Sequence, residues 1–282
     1  MPPRLSPTVR QQRLGIELRK MREHAGMTPK AMAAALGTDV PKISQMENGK
    51  SGISADRLHS WAIASKCMNS DLVAALVAMT NDRRKYWWDS FQGRVPSGII
   101  DIAEMEHHAE SLTILHTTFI PGLLQTSRYA SAVFARLRPP LPRHEVNTRT
   151  AFRVERQQVL TLKPYTAFIH EAALRMQFGG PDVLRDQLGS LLEDSERPGV
   201  EIRAIPFDVD TFPGSGESLY FATGAVPELD IVQIDLSQGP HFVHSTADLE
   251  TYRGINSETA EKALTPEESR AFIHQIMTNL KG

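Results

Sequence analysis

The chain has 282 residues, 41% hydrophobic and 23% charged, with a formal net charge of −2, a globular composition long enough for about two domains with real cores. No run of ~18 apolar residues is present, which argues against a membrane helix, and "MPPRLSPTVR" has no apolar core, which argues against a signal peptide. Cys67 is the only cysteine, so an intramolecular disulfide and a cysteine zinc cluster are both excluded, and a cytoplasmic location is the simplest expectation.

From the N-terminus, Leu14, Leu18, Met21 and Ala25 fall at i, i+4, i+7 and i+11, an apolar stripe on one helix that Gly26 ends. Thr28 is a good N-cap for a second helix with Pro29 at its first position, and Met32, Ala33 and Leu36 give it an inner face. Gly37 breaks that helix, and Asp39 can cap a third in which Ile43 and Met46 point inward. Gly49 ends the third. Ser54 can cap a fourth, where Leu58, Trp61, Ala62 and Ser65 repeat at i, i+3, i+4 and i+7. Four short helices with a tight turn between the second and third form a helix-turn-helix layout. Residues 1–85 carry 14 Lys/Arg against 7 Asp/Glu, and residues 86–282 carry 17 against 26. A basic head on an acidic body suits a polyanion-binding module joined to something that does not bind polyanions.

"GMTPKAMAAALGTDVPKISQMENGKSGIS" resembles the Xre, or lambda-repressor-like, DNA-binding domain over about residues 10–67. The resemblance rests on Ala33 at the helix crossing, Leu36-Gly37 at the turn, Ile43-Ser44, and Glu47-Asn48-Gly49 at the exit. It departs from the family at Pro29, where Gln is common, and at Pro41. A recognition helix of this kind enters the major groove of double-stranded DNA by its N-terminal turn. The outward residues there are Asp39, Val40, Pro41, Lys42 and Gln45. Gln45 can pair with an adenine edge, Lys42 can donate to guanine and Val40 can touch a thymine methyl, while Asp39 is expected to cap. Thr28 and Lys30 at the start of helix two, with Ser44, Asn48 and Lys50, are placed to hold phosphates, which sets register. Glu47 is expected to tie back to Arg19 or Arg22 as a structural ion pair.

Beyond the head, "DLVAALVAMTNDRRKYWWDSF" reads as one helix. Arg83, Arg84 and Lys85 precede Tyr86, Trp87 and Trp88, either a surface for stacking on bases or, preferred here, an aromatic hinge buried between head and body. "GRVPSG" at 93–98 reads as a loop and boundary. Then follow a helix in "IIDIAEMEHHAESL", a strand in "TILHTTFI", a turn opening a helix in "PGLLQTSRYASAVF", a break at "RPPLPRHEV" and a helix in "NTRTAFRVERQQVL". "YTAFIHEAAL" begins as a strand and ends in a turn, and "DVLRDQLGSLLEDS" is an amphipathic helix. "VEIRAIPF", "SLYFAT" and "LDIVQIDL" read as strands, the last buried on both faces. Helices over about 246–263 and 266–280 close the chain.

In order, "WW", "EMEHHA", "FIPGLLQTSRYA", "RVERQQVL", "HEAAL" and "QLGSLLE" with "VEIRAIPF" resemble a group of Xre-type regulators from filamentous actinobacteria that carry a C-terminal domain of unknown function. The resemblance covers most of residues 68–282. It implies control of development or secondary metabolism and pairing with a small acidic partner protein encoded nearby. It implies no ligand or activity for the body.

Catalysis is not indicated. "HEAAL" at 170–174 has Leu174 where a zinc protease motif needs its second His. His107 and His108 are adjacent on a helix, and His241 and His244 flank a strand. "PGSGES" at 213–218 lacks the ending of a phosphate loop, and Ser215 is in no nucleophile elbow. The strongest constellation is Arg149, Arg153 and Arg156 at i, i+4 and i+7 with Glu171. It is either an anion or effector site or, preferred, a structural network in which Glu171 neutralises Arg153.

The expected fold class is α+β: an all-α helix-turn-helix domain over 1–67, a helical and aromatic hinge over 68–98, and a mixed α+β regulatory and assembly domain over 99–282. The expected function is a sequence-specific transcriptional regulator, a homodimer with neither cofactor nor metal, nucleoid-associated when bound to DNA. An antitoxin-like protein that sequesters a partner and binds DNA to autoregulate, or an enzyme fused to a DNA tether, are the alternatives.

Overall fold

The computed structural model describes residues 7–80, 82, 84–212, 217–236 and 239–280. Arg83, residues 213–216 of "PGSGES" with Ser215, and most of the N-terminal decapeptide lie outside the described residues. The chain divides into two compact units, one running up to Tyr86 together with Ala225–Leu229, the other comprising Trp87–Gly224 and Asp230 onward.

The first unit is all helical: α1 (Val9–His24), α2 (Pro29–Ala35), α3 (Val40–Glu47), α4 (Ala55–Ala64) and α5 (Ser70–Thr80). Each of the first four has a side-chain N-cap. Thr8 and Gln11 form a reciprocal capping box on α1, and the side chains of Thr28, Asp39 and Ser54 accept from the third helical N–H of α2, α3 and α4. Gly26, Gly37 and Gly49 follow α1, α2 and α3 with positive φ, a region that costs a side chain energy. The inward residues meet in one core of Leu18, Met21, Met32, Ile43, Met46, Leu58, Trp61 and Leu76. Trp61 donates its indole N–H to the Leu18 carbonyl at 3.1 Å, so even the largest core side chain leaves no polar atom unpaired. Ala25, expected on the apolar stripe of α1, is instead its exposed C-cap, because the helix has already ended at His24.

The helix expected from Asp71 to Phe91 is two elements. α5 ends at Thr80, where the apolar periodicity stops, and Trp87–Phe91 forms a separate 3₁₀ turn in the second unit. There Trp87 packs on Phe91 and Phe152, and buried Trp88 packs on His107 at 5.3 Å between ring centroids.

The second unit is built on a six-stranded mixed sheet, which makes the whole protein α+β. It opens with α6 (Ser97–His108) and β1 (Ser111–His116). A crossover through α7 (Ser127–Phe134) and α8 (Arg143–Arg156) reaches β2 (Tyr165–His170). A second crossover through α9 (Glu171–Arg175) and α10 (Pro181–Asp194) reaches β3 (Val200–Ile205). β4 (Leu219–Thr223), β5 (Ile231–Leu236) and β6 (Gly239–Val243) then run as antiparallel hairpins, before α11 (Thr246–Lys262) and α12 (Pro266–Thr278). The order across the sheet is β3-β2-β1-β4-β5-β6, with β1, β2 and β3 mutually parallel and β4 antiparallel to β1.

Alternation along the strands divides the apolar side chains between two faces. Leu112 and Ile114, Ala167 and Ile169, Ile202 and Ala204 meet Leu184, Leu188 and Leu191 of α10 and Ile273 and Ile276 of α12. Each of those leucines is fully buried and contributes about 1.5–3 kcal/mol by leaving water. On the other face Leu115, Phe168, Phe221, Val232 and Ile234 pack with Leu249 of α11. β5 is buried only at Val232–Ile234, with Asp235 and Leu236 exposed, so it is not the doubly covered strand expected. β6, expected only as a strand flanked by His241 and His244, instead contains His241: it is short, opens Gly-Pro and lies at the edge of the sheet, where proline costs no ladder bond.

In the first unit, α1 approaches the end of α3 closely at Gly15, where a Cβ would lie 2.5 Å from the Glu47 carbonyl oxygen and 2.8 Å from that of Met46. Gly15→Ala therefore overpacks a backbone contact. A loss of about 1–3 kcal/mol is expected in urea unfolding, despite the better helix propensity of Ala.

Candidate functional site

The turn between α2 and α3 sets the first candidate site. Thr28 Oγ1 accepts from Ala31 N at 3.1 Å and Asp39 Oδ1 accepts from Lys42 N at 2.8 Å, so Asp39 is a cap. Ile43 and Met46 anchor α3 in the core, and the opposite face is open: Val40, Pro41, Lys42, Ser44 and Gln45 are exposed, as are Thr28 and Lys30 on α2 and Lys50 beyond α3. Pro29 and Pro41 both occupy first-turn positions, where their missing N–H breaks no helical bond.

What holds α3 on α1 is an ion pair. Glu47, at the last turn of α3, is buried, and its carboxylate accepts from Arg22 Nε at 2.5 Å and Nη2 at 3.0 Å, with Arg19 Nε at 3.5 Å. Arg22 also donates to the Met27 carbonyl at 2.9 Å, tying the α1–α2 turn to the same group. Arg19 donates to Asn48 Oδ1 at 3.0 Å, and Asn48 Nδ2 donates to the Ser44 carbonyl at 2.7 Å. Asn48 is exposed, with its amide engaged by both neighbours.

The cations of α1 and those around α3 differ in their partners. Arg13, Arg19, Lys20 and Arg22 on α1 are engaged with Glu17, Glu23 or Glu47. Lys30, Lys42 and Lys50, with Gln45, make no side-chain hydrogen bond or ion pair among the described residues. The chemistry left open on this surface is that of cationic and amide donors beside exposed Val40. Donors of these kinds are the ones that phosphates and base edges of a duplex accept from.

The second candidate set does not come together as expected. Arg149 pairs with Glu145 at 3.3 Å, one turn back on α8. Arg156 is buried against Glu106 of α6, which its Nε meets at 2.9 Å and its Nη2 meets as well, and Tyr220 donates to the same carboxylate at 2.9 Å. Burial and the Glu106 charge push the Tyr220 phenol well above its ordinary range, so it stays a donor. Glu171 does not neutralise Arg153. It pairs with Arg175 at 2.6 Å and accepts from Phe207 N at 2.8 Å, because α9 turns it toward the end of β3. The structural partner of the arginine helix is Glu106, 50 residues away in sequence, which local pattern could not reveal. Arg153 donates to Gln125 Oε1 at 2.7 Å, lies 4.5 Å over the Phe134 ring and faces a cavity with His116, Gln233 and Asp235. Among the described residues no cluster of three or more His, Cys, Asp or Glu is arranged to hold a metal.

Two measurements check these environments. Removing the Glu47 carboxylate leaves Arg22 buried without its partner, so Glu47→Ala is expected to cost about 3–5 kcal/mol in the urea unfolding of the helical unit. In the second unit, burial, partly opposed by Asp235 and reinforced by Arg153, lowers the His116 pKa to about 4. Its folded pKa lies below the unfolded value of about 6.5, so the unfolded chain takes up the proton first. Stability supplied by the neutral ring is complete above about pH 6.5 and is lost as pH falls toward about 4. His116→Asn should remove that slope from the difference between the two proteins' urea midpoints.

Comparison with known families agrees with this division. Residues 13–65 match the family model of a helix-turn-helix domain, which marks a DNA-binding regulator. No curated protein and no solved structure matches the chain. Among the described residues no helix is long and apolar enough to cross a membrane. Residues 99–275, well over half the chain and nearly all of the sheet-based unit, match the model of a domain of unknown function, and the chain accordingly belongs to the DUF5753 family.

Proposed function

We propose that this protein is a sequence-specific transcriptional regulator of the Xre type that reads the major groove with the first turn of α3. Lys42 and Gln45 supply the polar base contacts, Val40 and Pro41 the apolar ones, and Thr28, Lys30, Ser44, Asn48 and Lys50 hold the backbone. The observation that carries this reading is a contrast between cations: Arg13, Arg19, Lys20 and Arg22 of α1 are engaged in ion pairs, and Lys30, Lys42 and Lys50 flanking the exposed face of α3 are in none among the described residues. One such unit covers a half-site only, so the working form is a two-fold homodimer with half-sites about 10 base pairs apart or a multiple of that. The sheet-based unit supplies assembly and is the receiver of a regulatory signal, from a small partner protein or a ligand. The processes controlled are development or secondary metabolism, and the working location is the cytoplasm.

Binding-site selection with the full chain, followed by affinity measurements on the selected duplex, tests this. Affinity is expected to fall steeply between about 50 and 200 mM salt, because phosphate contacts release counterions. Gln45→Ala should cost about 1–3 kcal/mol and relax preference at one base position, whereas Lys50→Ala should weaken all sequences alike. A salt-independent interaction, or a uniform loss across sequences for Gln45→Ala, contradicts the proposal.

A further inference from the structure

The strand order β3-β2-β1-β4-β5-β6 reverses at β1: later strands add outward first on the β2 side and then on the β4 side. In parallel open sheets ligands bind at such reversals, beyond the carboxyl ends of the strands; here β4 is antiparallel to β1, so of those two strands only β1 presents its carboxyl end there. β1 ends there at His116. The register places Ile114 opposite Tyr220, and Tyr220 opposite Gln233, so these three side chains form one row across β1, β4 and β5. Two residues further along, on the same face, stand His116 on β1 and Asp235 on β5. The alternation in "IVQID" sends Val232 and Ile234 into the core on one face and presents Gln233 and Asp235 on the other.

These residues enclose a cavity of about 210 Å³. Part of its wall is apolar, with Ile102 from α6, Ile120 and Leu123 from the segment after β1, and Phe134 and Leu137 at and beyond the end of α7. Leu137 and Asp235 are exposed, which puts them at the mouth. The polar part of the lining is His116, Gln125, Arg153, Arg156, Tyr220, Gln233 and Asp235. Arg153 Nε and His116 Nδ1 are buried, and neither has a hydrogen-bond partner among the described residues. Among the described residues Arg153 also has no carboxylate within ion-pair distance, in contrast to Arg156 beside it, whose charge Glu106 balances. Burial and the neighbouring Arg156 charge, partly opposed by the Asp235 and Glu106 carboxylates, lower the Arg153 pKa to about 10, which leaves it charged at neutral pH. A cation faces a partly apolar chamber with a donor position unused.

We infer that this cavity is a binding site for a small monocarboxylate with an apolar body, the carboxylate meeting Arg153 and His116 and the body packing against Ile120, Leu123 and Phe134. The volume lies below the roughly 300–1,000 Å³ of sites for drug-sized ligands, which limits the ligand to a short aliphatic or single-ring acid. Asp235 on the same wall disfavours a second negative charge, which selects a carboxylate over a phosphate dianion. The site lies wholly in the sheet-based unit and goes beyond the DNA-binding reading, so its occupancy is measured without DNA.

Calorimetric titration of the full chain with phenylacetate and hexanoate, against phenylacetamide, 1-hexanol and inorganic phosphate, tests the inference. Each acid is expected to bind at least about tenfold more tightly than its neutral counterpart, the worth of a charge-assisted hydrogen bond, and more tightly than phosphate. Arg153→Gln should lose about tenfold or more for the acids. Leu137→Glu, a change at an exposed mouth position that leaves the core intact, should weaken the acids and spare the amide. Failure of both acids to bind, equal binding of acid and neutral counterpart, tighter binding of phosphate, or acid affinity unchanged in Leu137→Glu overturns it. The comparison of acid and amide on the unmodified protein decides the matter even where Arg153→Gln does not fold.

Discussion

The buried carboxylate of Glu47 is the interaction on which the smaller unit depends. It joins the last turn of α3 to Arg22 and Arg19 on α1 and, through Arg22, to the turn that leads into α2. A buried charge is costly unless its partners are close and well aligned, so the pair acts as a locator more than as a source of net stability. With Gly15 allowing the backbone of α1 to come against the end of α3, it fixes the axis of α3 while leaving the opposite face of that helix to solvent. The cost of seating this ion pair is offset by the apolar core around Trp61, Ile43 and Leu58. Held at one end by the ion pair and capped at the other by Asp39, the eight-residue α3 has a fixed backbone beneath its exposed side chains.

The larger unit works by a different constraint. Its parallel half needs helical crossovers, and those crossovers bring α8 beside the end of β1, while the antiparallel hairpins bring Gln233 and Asp235 to the same place from the other side. Two neighbouring arginines on α8 thereby acquire opposite characters. Arg156 is locked to Glu106 and Tyr220 and organises the interior; Arg153, three residues earlier, meets a glutamine, an aromatic face and a cavity. The difference arises from which element each side chain happens to face, not from the helix that carries them.

How much of this the sequence revealed follows from how local the determinants are. Thr28, Asp39 and Ser54 are caps within three residues of the groups they satisfy, and the apolar spacing of α1 to α4 is a short-range pattern, so the helix-turn-helix layout and its outward residues were legible. Glu47 with Arg22 was legible as well, since the layout itself brings those two helices together. Gly15 was not, because a close backbone approach leaves no trace beyond a glycine inside a helix. In the larger unit most strands were legible from alternation, but of the edge strand β6, only five residues long, just the part between His241 and His244 was. The pairing of Arg156 with Glu106, the separation of Glu171 from Arg153, and the meeting of His116 with Gln233 and Asp235 are products of sheet order, which joins residues about 50 to 120 positions apart and has no local signature.

The central claim is that the exposed first turn of α3, on the smaller unit, is what meets DNA. Backbone amide shift mapping of the full chain against a duplex recovered by selection tests it most directly. The account predicts that the largest perturbations fall on Thr28 to Ala31, Val40 to Gln45 and Lys50, with the amides of β1 to β3 little moved. Large perturbations confined to the sheet-based unit, with α3 unmoved, would contradict it.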